Sequence, residues 1–366
     1  MTSDIVIVGG GIAGASLGAK LAEQAKVTIL EMEDSAGYHA TGRSVAFWEE
    51  TYGGPVVQPL TTASEAMLSS PDPAFSETGF LSPRQTLHVG REQDRPAYDR
   101  LLRDYAGKVE LLPVSPAGIV PGLRSDWTIG LMEPSCQDID VNALHQAYLR
   151  RVRSLGGEIR LATALRRAKS DSGGWHIETN HGAIACALVV NAAGAWADPV
   201  ARACGVEPIG IQPLRRTVVQ LRVPAMPGPN LPLIMDLGGR FYFKPKGAER
   251  IWLTPHDEAR TEACDAAPEE LAVAEAIDQF RAVVNWPIAA VEQKWAGLRS
   301  FAPDRTPVYG FDPAVPGFFW FAGQGGFGIQ TAPAAAMLAA TLITGTNPSG
   351  AIASLDATLY SPARFR

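Results

Sequence analysis

The sequence predicts an α/β protein of two domains, one built on a parallel sheet flanked by helices and a smaller one built on a largely antiparallel sheet. Three observations carry this. The chain has 366 residues, and at about 150 residues per domain that length suits roughly two. Its first residues run strand, glycine-rich turn, helix and strand. Two later stretches, near 77–137 and 207–302, are instead rich in proline, turns and alternating apolar and polar residues. Residues 1–76, 138–206 and 303–366 are accordingly assigned to the first domain, and 77–137 and 207–302 to the second.

Ile5-Val6-Ile7-Val8 is β-branched and does not alternate, as in a strand buried on both faces. Gly9-Gly10-Gly11-Ile12-Ala13-Gly14 follows at once. Residues 15–25 then read as a helix, with Leu17 and Leu21 on one side, before a second strand, Val27-Thr28-Ile29-Leu30, ending in Glu31. Further on, 140–154 reads as a helix with Leu144, Tyr148 and Leu149 together, stopped by Gly156-Gly157. Strands follow at 158–161, 175–179 and 188–191. The second domain carries alternating segments at 217–221, 240–243 and 251–253. Near the end an apolar strand leads into a glycine loop, 323–330, and an alanine-rich helix, 331–342.

Composition narrows the function classes. Hydrophobic residues make up 46% and charged residues 19%, which excludes a disordered chain. The net charge is −6, so a chain-wide basic footprint for nucleic acid is absent. No apolar run approaches the roughly 18 residues of a transmembrane helix. Cys136, Cys186, Cys204 and Cys264 form no C-x-x-C pair and read as free thiols in apolar surroundings, and no metal site is assigned. The N-terminus lacks a basic stretch followed by an apolar one and a cleavage site. The expectation is a cytoplasmic protein, with peripheral attachment to the inner membrane as a variant.

The opening motif has a stated chemistry. Gly9 permits a tight turn, Gly11 lets a pyrophosphate approach the backbone, and Gly14 lets the helix lie close on the strand. The helix N-terminus presents free N–H groups to phosphate. Glu31, at the end of the second strand, is placed to accept hydrogen bonds from ribose hydroxyls. This is an adenine-dinucleotide site of the Rossmann type, and the motif alone does not choose between FAD and NAD.

Six further blocks carry a resemblance. They are Gly37-Tyr38-His39-Ala40-Thr41-Gly42-Arg43-Ser44, Asp138-Ile139-Asp140, Asn191-Ala192-Ala193-Gly194-Ala195-Trp196, Phe241-Tyr242-Phe243-Lys244-Pro245, Trp295-Ala296-Gly297-Leu298-Arg299-Ser300-Phe301 and Gln324-Gly325-Gly326-Phe327-Gly328-Ile329-Gln330. In this order they resemble the D-amino-acid oxidase superfamily of flavoproteins, and within it the bacterial D-arginine dehydrogenase type. The resemblance implies non-covalent FAD and oxidation of an amino acid at Cα by hydride transfer to the flavin. The imino acid then hydrolyses to a 2-oxo acid and ammonia.

By resemblance, Gly9, Gly11, Ala13 and Gly14 hold the pyrophosphate and Glu31 and Met32 the adenosine. Ala40, Thr41, Gly42, Arg43, Ser44 and Ala46 wrap the cofactor, Leu165 meets the adenine, and Ala193, Gly194 and Trp196 complete the wall. Gly325, Gly326, Gly328, Ile329 and Gln330 close over the flavin pyrimidine, where N–H donors stabilise the negative charge of the reduced ring. Arg299 is the leading partner for a substrate carboxylate, with Arg215 second and Arg216 its easily confused neighbour. Tyr242 and Tyr52 border the substrate, with Gly297 and Gln330 as polar contacts.

The chain also departs from the D-arginine type. Thr86 stands where that type has a carboxylate for the distal cation, and Phe47 stands where it has histidine. Phe47 and Trp48 then make an apolar wall, which favours neutral or hydrophobic D-amino acids. Glu49 and Glu50 read as a solvated loop tip that could still reach a basic substrate. The expected electron acceptor is a quinone or dye-like molecule. The alternatives are an oxygen-using oxidase of glycine, sarcosine or another secondary amine, and a flavin-binding protein without catalysis.

Overall fold

Thr2–Val8 runs parallel to both Val27–Leu30 and Gly182–Asn191, and its last residues are fully buried. This is the centre of an eight-stranded sheet in a computed structural model that describes residues 2–366. Glu158–Arg160 extends one side in parallel. On the other side Phe318–Ala322 lies parallel to Gly182–Asn191, with Val308–Phe311 antiparallel beyond it. A meander of Leu165–Asp171 and Gly174–Thr179 is antiparallel to the first half of Gly182–Asn191. Helices Ile12–Leu21, Val141–Ser154 and Ala332–Thr344 pack on the sheet around a core that includes Ile7, Leu17, Ile29, Leu144, Phe319 and Leu338.

The first helix starts at Ile12, earlier than the sequence suggests, and ends at Leu21. The reason lies outside the segment. The N-cap, Gly11, offers no side chain, and Thr41 supplies the missing acceptor: its Oγ1 takes the Ile12 N–H at 3.0 Å. Gly18 inside the helix costs propensity but permits close packing, since a Cβ there would lie 2.8 Å from Ile29 Cδ1.

The second sheet has nine strands and a separate aromatic core of Trp127, Phe241, Phe243, Phe280 and Trp286. All but one of its pairings are antiparallel; Leu233–Asp236 runs parallel to Thr86–Gly90. A third sheet of Phe47–Trp48, Leu81–Pro83 and Gln137–Ile139 forms between these two. Lys244 of the nine-stranded sheet reaches it, donating to the Ala46 carbonyl at 3.1 Å and pairing with Asp138 at 2.6 Å. Among the described residues, no helix is long and apolar enough to cross a membrane.

Candidate active site

A cavity of about 410 Å³ runs between the two large sheets, with walls drawn from both. One end is built on the glycine turn. Gly9 holds φ +109°, and a Cβ on it would meet the Ala192 carbonyl oxygen at 2.5 Å. Gly9, Gly11 and Ala13 line the cavity; Gly14 does not. It sits beneath the turn, where a Cβ would be 1.9 Å from the Gly9 oxygen. Glu31 also lines this end, and its carboxylate accepts the Gly10 and Glu33 N–H groups at 2.9 and 3.0 Å. His145, which sequence reasoning passed over as one more helical residue, supports the turn from behind. Burial lowers its pKa, and the neutral ring donates Nε2–H to the Gly10 carbonyl at 2.9 Å.

Met32, Leu165, Ala193, Gly194 and Trp196 continue the wall, as do Ala40, Thr41, Arg43, Ser44 and Ala46. Gly42 is turned out of it, its N–H held by the Gly37 carbonyl at 2.8 Å. Arg43 is more a clamp than a ligand. Its Nη1 donates to the Ala266 and Ala296 carbonyls, both at 3.0 Å, and Nη2 pairs with Asp265. Three of the four cysteines are buried, whereas Cys264 is exposed and lies on the cavity wall.

At the other end, Gln212–Arg222 and Ala290–Phe301 pair antiparallel with Leu214 opposite Arg299 and Arg216 opposite Gly297. Opposed residues in a ladder share a face, and residues two apart share it too. Leu214, Arg216, Gly297 and Arg299 therefore point the same way, and Gly297 leaves the space over Arg216 open. Arg215 points the other way and pairs with Glu269. The structure thus places Arg216, and not Arg215, on the cavity wall. Parity could not be read from the sequence because this strand is buried on both faces.

Arg216 is anchored by Nε to the Asp257 carbonyl at 2.9 Å and by Nη2 to Glu258 at 3.2 Å, while its Nη1 is buried without a partner. Burial and the neighbouring Arg299 push its pKa down to about 10. Among the described residues no carboxylate lies within 4.0 Å of Arg299. Burial works against the Arg299 charge, but Tyr52 and Tyr242 more than offset this, so its pKa is raised. Tyr242 is held neutral, burial pushing its phenol up to about 12. Phe47 completes the enclosure, its ring 5.0 Å from Tyr52 and 5.5 Å from Tyr242.

The glycine loop docks on the strand that carries Arg299. The Gly325 N–H donates to the Ser300 carbonyl at 2.9 Å, and a Cβ on Gly326 would lie 2.8 Å from Arg299 Cζ and Nη1. The guanidinium thus rests on the Gly326 backbone. Gly326→Ala should displace it and raise KM for a carboxylate substrate by roughly tenfold, about 1.4 kcal/mol; steady-state kinetics with unchanged KM would refute this packing role. The N–H groups of Gly326, Gly328 and Ile329 have no protein acceptor among the described residues.

Three expectations at the substrate end are corrected. Trp48 faces away from Phe47 into the core, with Nε1 donating to the Thr61 carbonyl at 2.9 Å. Thr86 is fully buried opposite Glu133 and does not line the cavity. Glu49 is not a solvated tip: it is 0% exposed, because the loop after Trp48 folds inward. Glu50 accepts from Thr62 at 2.5 Å. Gln330 reaches the cavity, but its amide is spent on this loop, donating to the Glu49 and Tyr52 carbonyls and to Thr61 at 3.2, 3.0 and 2.9 Å.

His256 was not foreseen. Its ring sits 5.3 Å from Tyr242, and its Nδ1 bonds the Gly239 carbonyl at 2.7 Å. Burial and then the Arg216 charge lower its pKa to about 2. The native ring refuses a proton that the unfolded chain accepts below about pH 6.5. Stability contributed by neutral His256 is therefore present above that pH and falls as pH drops toward 2. Denaturant titrations between pH 7 and 5 should show a shallower decline in His256→Gln; equal slopes would contradict the assignment.

The fold and this cavity join a glycine turn of the dinucleotide-binding type to a pair of buried arginines. The chain belongs to the DAO family of FAD dependent oxidoreductases, whose model matches residues 4–342. It is 26% identical over 389 residues to the bifunctional protein ThiO/ThiG of Synechocystis sp., with all of this chain but only 54% of that protein covered. The chain thus spans about half the length of that relative. It is 27% identical to glycine oxidase of Geobacillus kaustophilus, covering 93% of this chain and 92% of that one. The crystal structure of that enzyme superposes with a TM-score of 0.84 at 23% identity and 99% coverage of each chain. L-proline dehydrogenase from P. horikoshii shares the fold with a TM-score of 0.85 at 23% identity, covering 100% of this chain and 98% of that one.

The residues present fit FAD. The glycine turn leaves a cradle that a Cβ would fill, and Gly326, Gly328 and Ile329, whose N–H groups have no protein acceptor among the described residues, line the same cavity. Gly9, Gly11 and Ala13 would hold the pyrophosphate, and Glu31 the ribose. Gly326, Gly328 and Ile329 would donate to the flavin pyrimidine edge.

Proposed function

We propose that the protein oxidises the Cα–N bond of a small amino acid with a free carboxylate, glycine or an N-substituted glycine such as sarcosine. The observation that carries this is the pair Arg299 and Arg216, set on one face: among the described residues Arg299 has no carboxylate within 4.0 Å, and Arg216, paired with Glu258 through Nη2, leaves Nη1 without a partner. A buried cation of this kind is matched to a carboxylate supplied from outside. Bound FAD supplies the acceptor for hydride. The chain's own part is to hold the carboxylate on Arg299 and Arg216, to close the chamber with Phe47, Tyr52 and Tyr242, and to exclude water. The tight contacts among those three rings favour a short substrate. The glycine oxidase and ThiO/ThiG relatives support the same reading.

Neutral D-amino acids are the second reading, favoured by the apolar Phe47 face of the chamber. D-Arginine is disfavoured, since the only carboxylate among the described cavity-lining residues is Glu31, at the dinucleotide end. The test is anaerobic bleaching of the flavin with glycine, sarcosine, D-alanine, D-leucine, D-phenylalanine and D-arginine. Glycine and sarcosine should bleach it fastest; a clear preference for D-leucine or D-phenylalanine would transfer the assignment to the second reading, and for D-arginine would end both. Peroxide formed against dye reduced then assigns the acceptor.

A further inference from the structure

Glu49, His88 and Glu133 come from three separate segments: the loop after Trp48, the strand Thr86–Gly90 and the strand Ile129–Glu133. They converge in a buried cluster that lies apart from the cavity wall, with one ligand atom from each within 4.8 Å of the others. Glu49 is 0% exposed, and its carboxylate oxygens make no well-formed hydrogen bond, although the Thr51 and Thr86 hydroxyls lie close enough to lower its pKa. Burial and the neighbouring Glu133 raise its pKa well above the usual carboxylate range, so its ionised form is costly unless a cation meets the charge. Glu133 is already oriented: its Oε1 accepts the Glu50 N–H at 2.9 Å and its Oε2 the Thr51 hydroxyl at 2.6 Å.

The spacing suits a metal site, although His88 Nε2 also stands within hydrogen-bonding reach of Glu133 Oε2. His88 Nε2 is 3.3 Å from Glu49 Oε1 and 3.4 Å from Glu133 Oε2. A good N–H···O bond is about 2.9–3.0 Å, so both contacts are long for that purpose. Donors held about 2.0–2.1 Å from a tetrahedral centre are about 3.3–3.4 Å from one another. The charges agree as well. As metal ligands, two carboxylates and a neutral imidazole would carry a double negative charge, which a dication cancels. One imidazole and two carboxylates suit zinc among the divalent ions.

We propose that Glu49, His88 and Glu133 bind a zinc-class divalent cation, leaving one tetrahedral corner to a hydroxyl or water. The ion fastens the segment between Phe47 and Tyr52, two of the three rings of the substrate chamber, to the nine-stranded sheet. Its role is positioning, at a distance from the reacting atoms.

The test uses tag-free, FAD-loaded protein. Elemental analysis should find stoichiometric zinc, or stoichiometric uptake when zinc is added after treatment with dipicolinate. Zinc should raise Tm by several degrees where the same concentration of magnesium does not. Glu49→Gln and His88→Gln should lose the zinc and keep the flavin spectrum. Zinc-edge absorption of the wild-type protein should report one imidazole nitrogen with oxygen neighbours, whether or not the variants fold. Trace metal with no response to zinc would overturn the proposal, as would undiminished zinc in folded variants or sulfur in the zinc shell.

Discussion

Arg299→Met should lower kcat/KM by roughly two to four orders of magnitude while leaving the protein folded and yellow. The size follows from the chemistry of a buried bidentate pair. Each hydrogen bond from a guanidinium to a carboxylate contributes about 1.5–3 kcal/mol, and two of them give roughly 3–6 kcal/mol, with about 1.4 kcal/mol to each factor of ten. Among the described residues Arg299 has no carboxylate partner to release when it is removed, so folding loses little. Retention of FAD is expected because the dinucleotide end of the cavity is built from other residues. Stopped-flow reduction by the substrate that bleaches the flavin best is the measurement. A variant within a few-fold of the parent would dismiss the carboxylate assignment, and Arg216→Met would then be the next variant to measure.

Gly14→Ala is expected to yield a destabilised protein with little or no bound flavin. The added methyl would sit 1.9 Å from the Gly9 carbonyl oxygen, a backbone atom that no side-chain rotation can move. The helix must therefore lift from the strand, and the turn carrying Gly9 and Gly11 shifts with it. Overpacking of this kind costs about 1–3 kcal/mol, occasionally more. Weakened cofactor binding adds a further loss, because a ligand held at about a thousand times its Kd stabilises by about 4 kcal/mol. Tm and the ratio of flavin to protein absorbance would both fall. A variant purified with full flavin and an unchanged Tm would show that the turn tolerates what its geometry forbids.

The parts legible in the sequence were those whose chemistry is local. A strand, three glycines, a helix and an acid within one short stretch announce a dinucleotide site, and Gly9, Gly11 and Glu31 stand on the cavity wall. Gly14 packs beneath the turn, as its place in the motif predicts, but it does not line the cavity where a pyrophosphate contact was expected of it. Arg299 stood out through the block around it. What stayed hidden depends on partners distant in the chain. Thr41 caps a helix from outside it and so moves that helix's start. The choice between Arg215 and Arg216 rests on which face of a strand meets the cavity, and a strand buried on both faces gives no alternation to count. Glu49 looked like a loop tip because His88 and Glu133, which surround it, are remote in sequence. His256 holds φ +56° in a loop that no periodicity describes.

The seat of Phe318–Ala322 has a consequence for biogenesis. It is parallel to Gly182–Asn191, which in turn lies beside Thr2–Val8. During translation the strand edge at Val189, Val190 and Asn191 therefore waits, unpaired on that side, until more than a hundred further residues have been made. Such high contact order slows folding, and a bare edge of this kind invites aggregation. Nascent chains arrested before residue 318 should be strong clients of ribosome-associated chaperones, and chains arrested well after it should be weak ones.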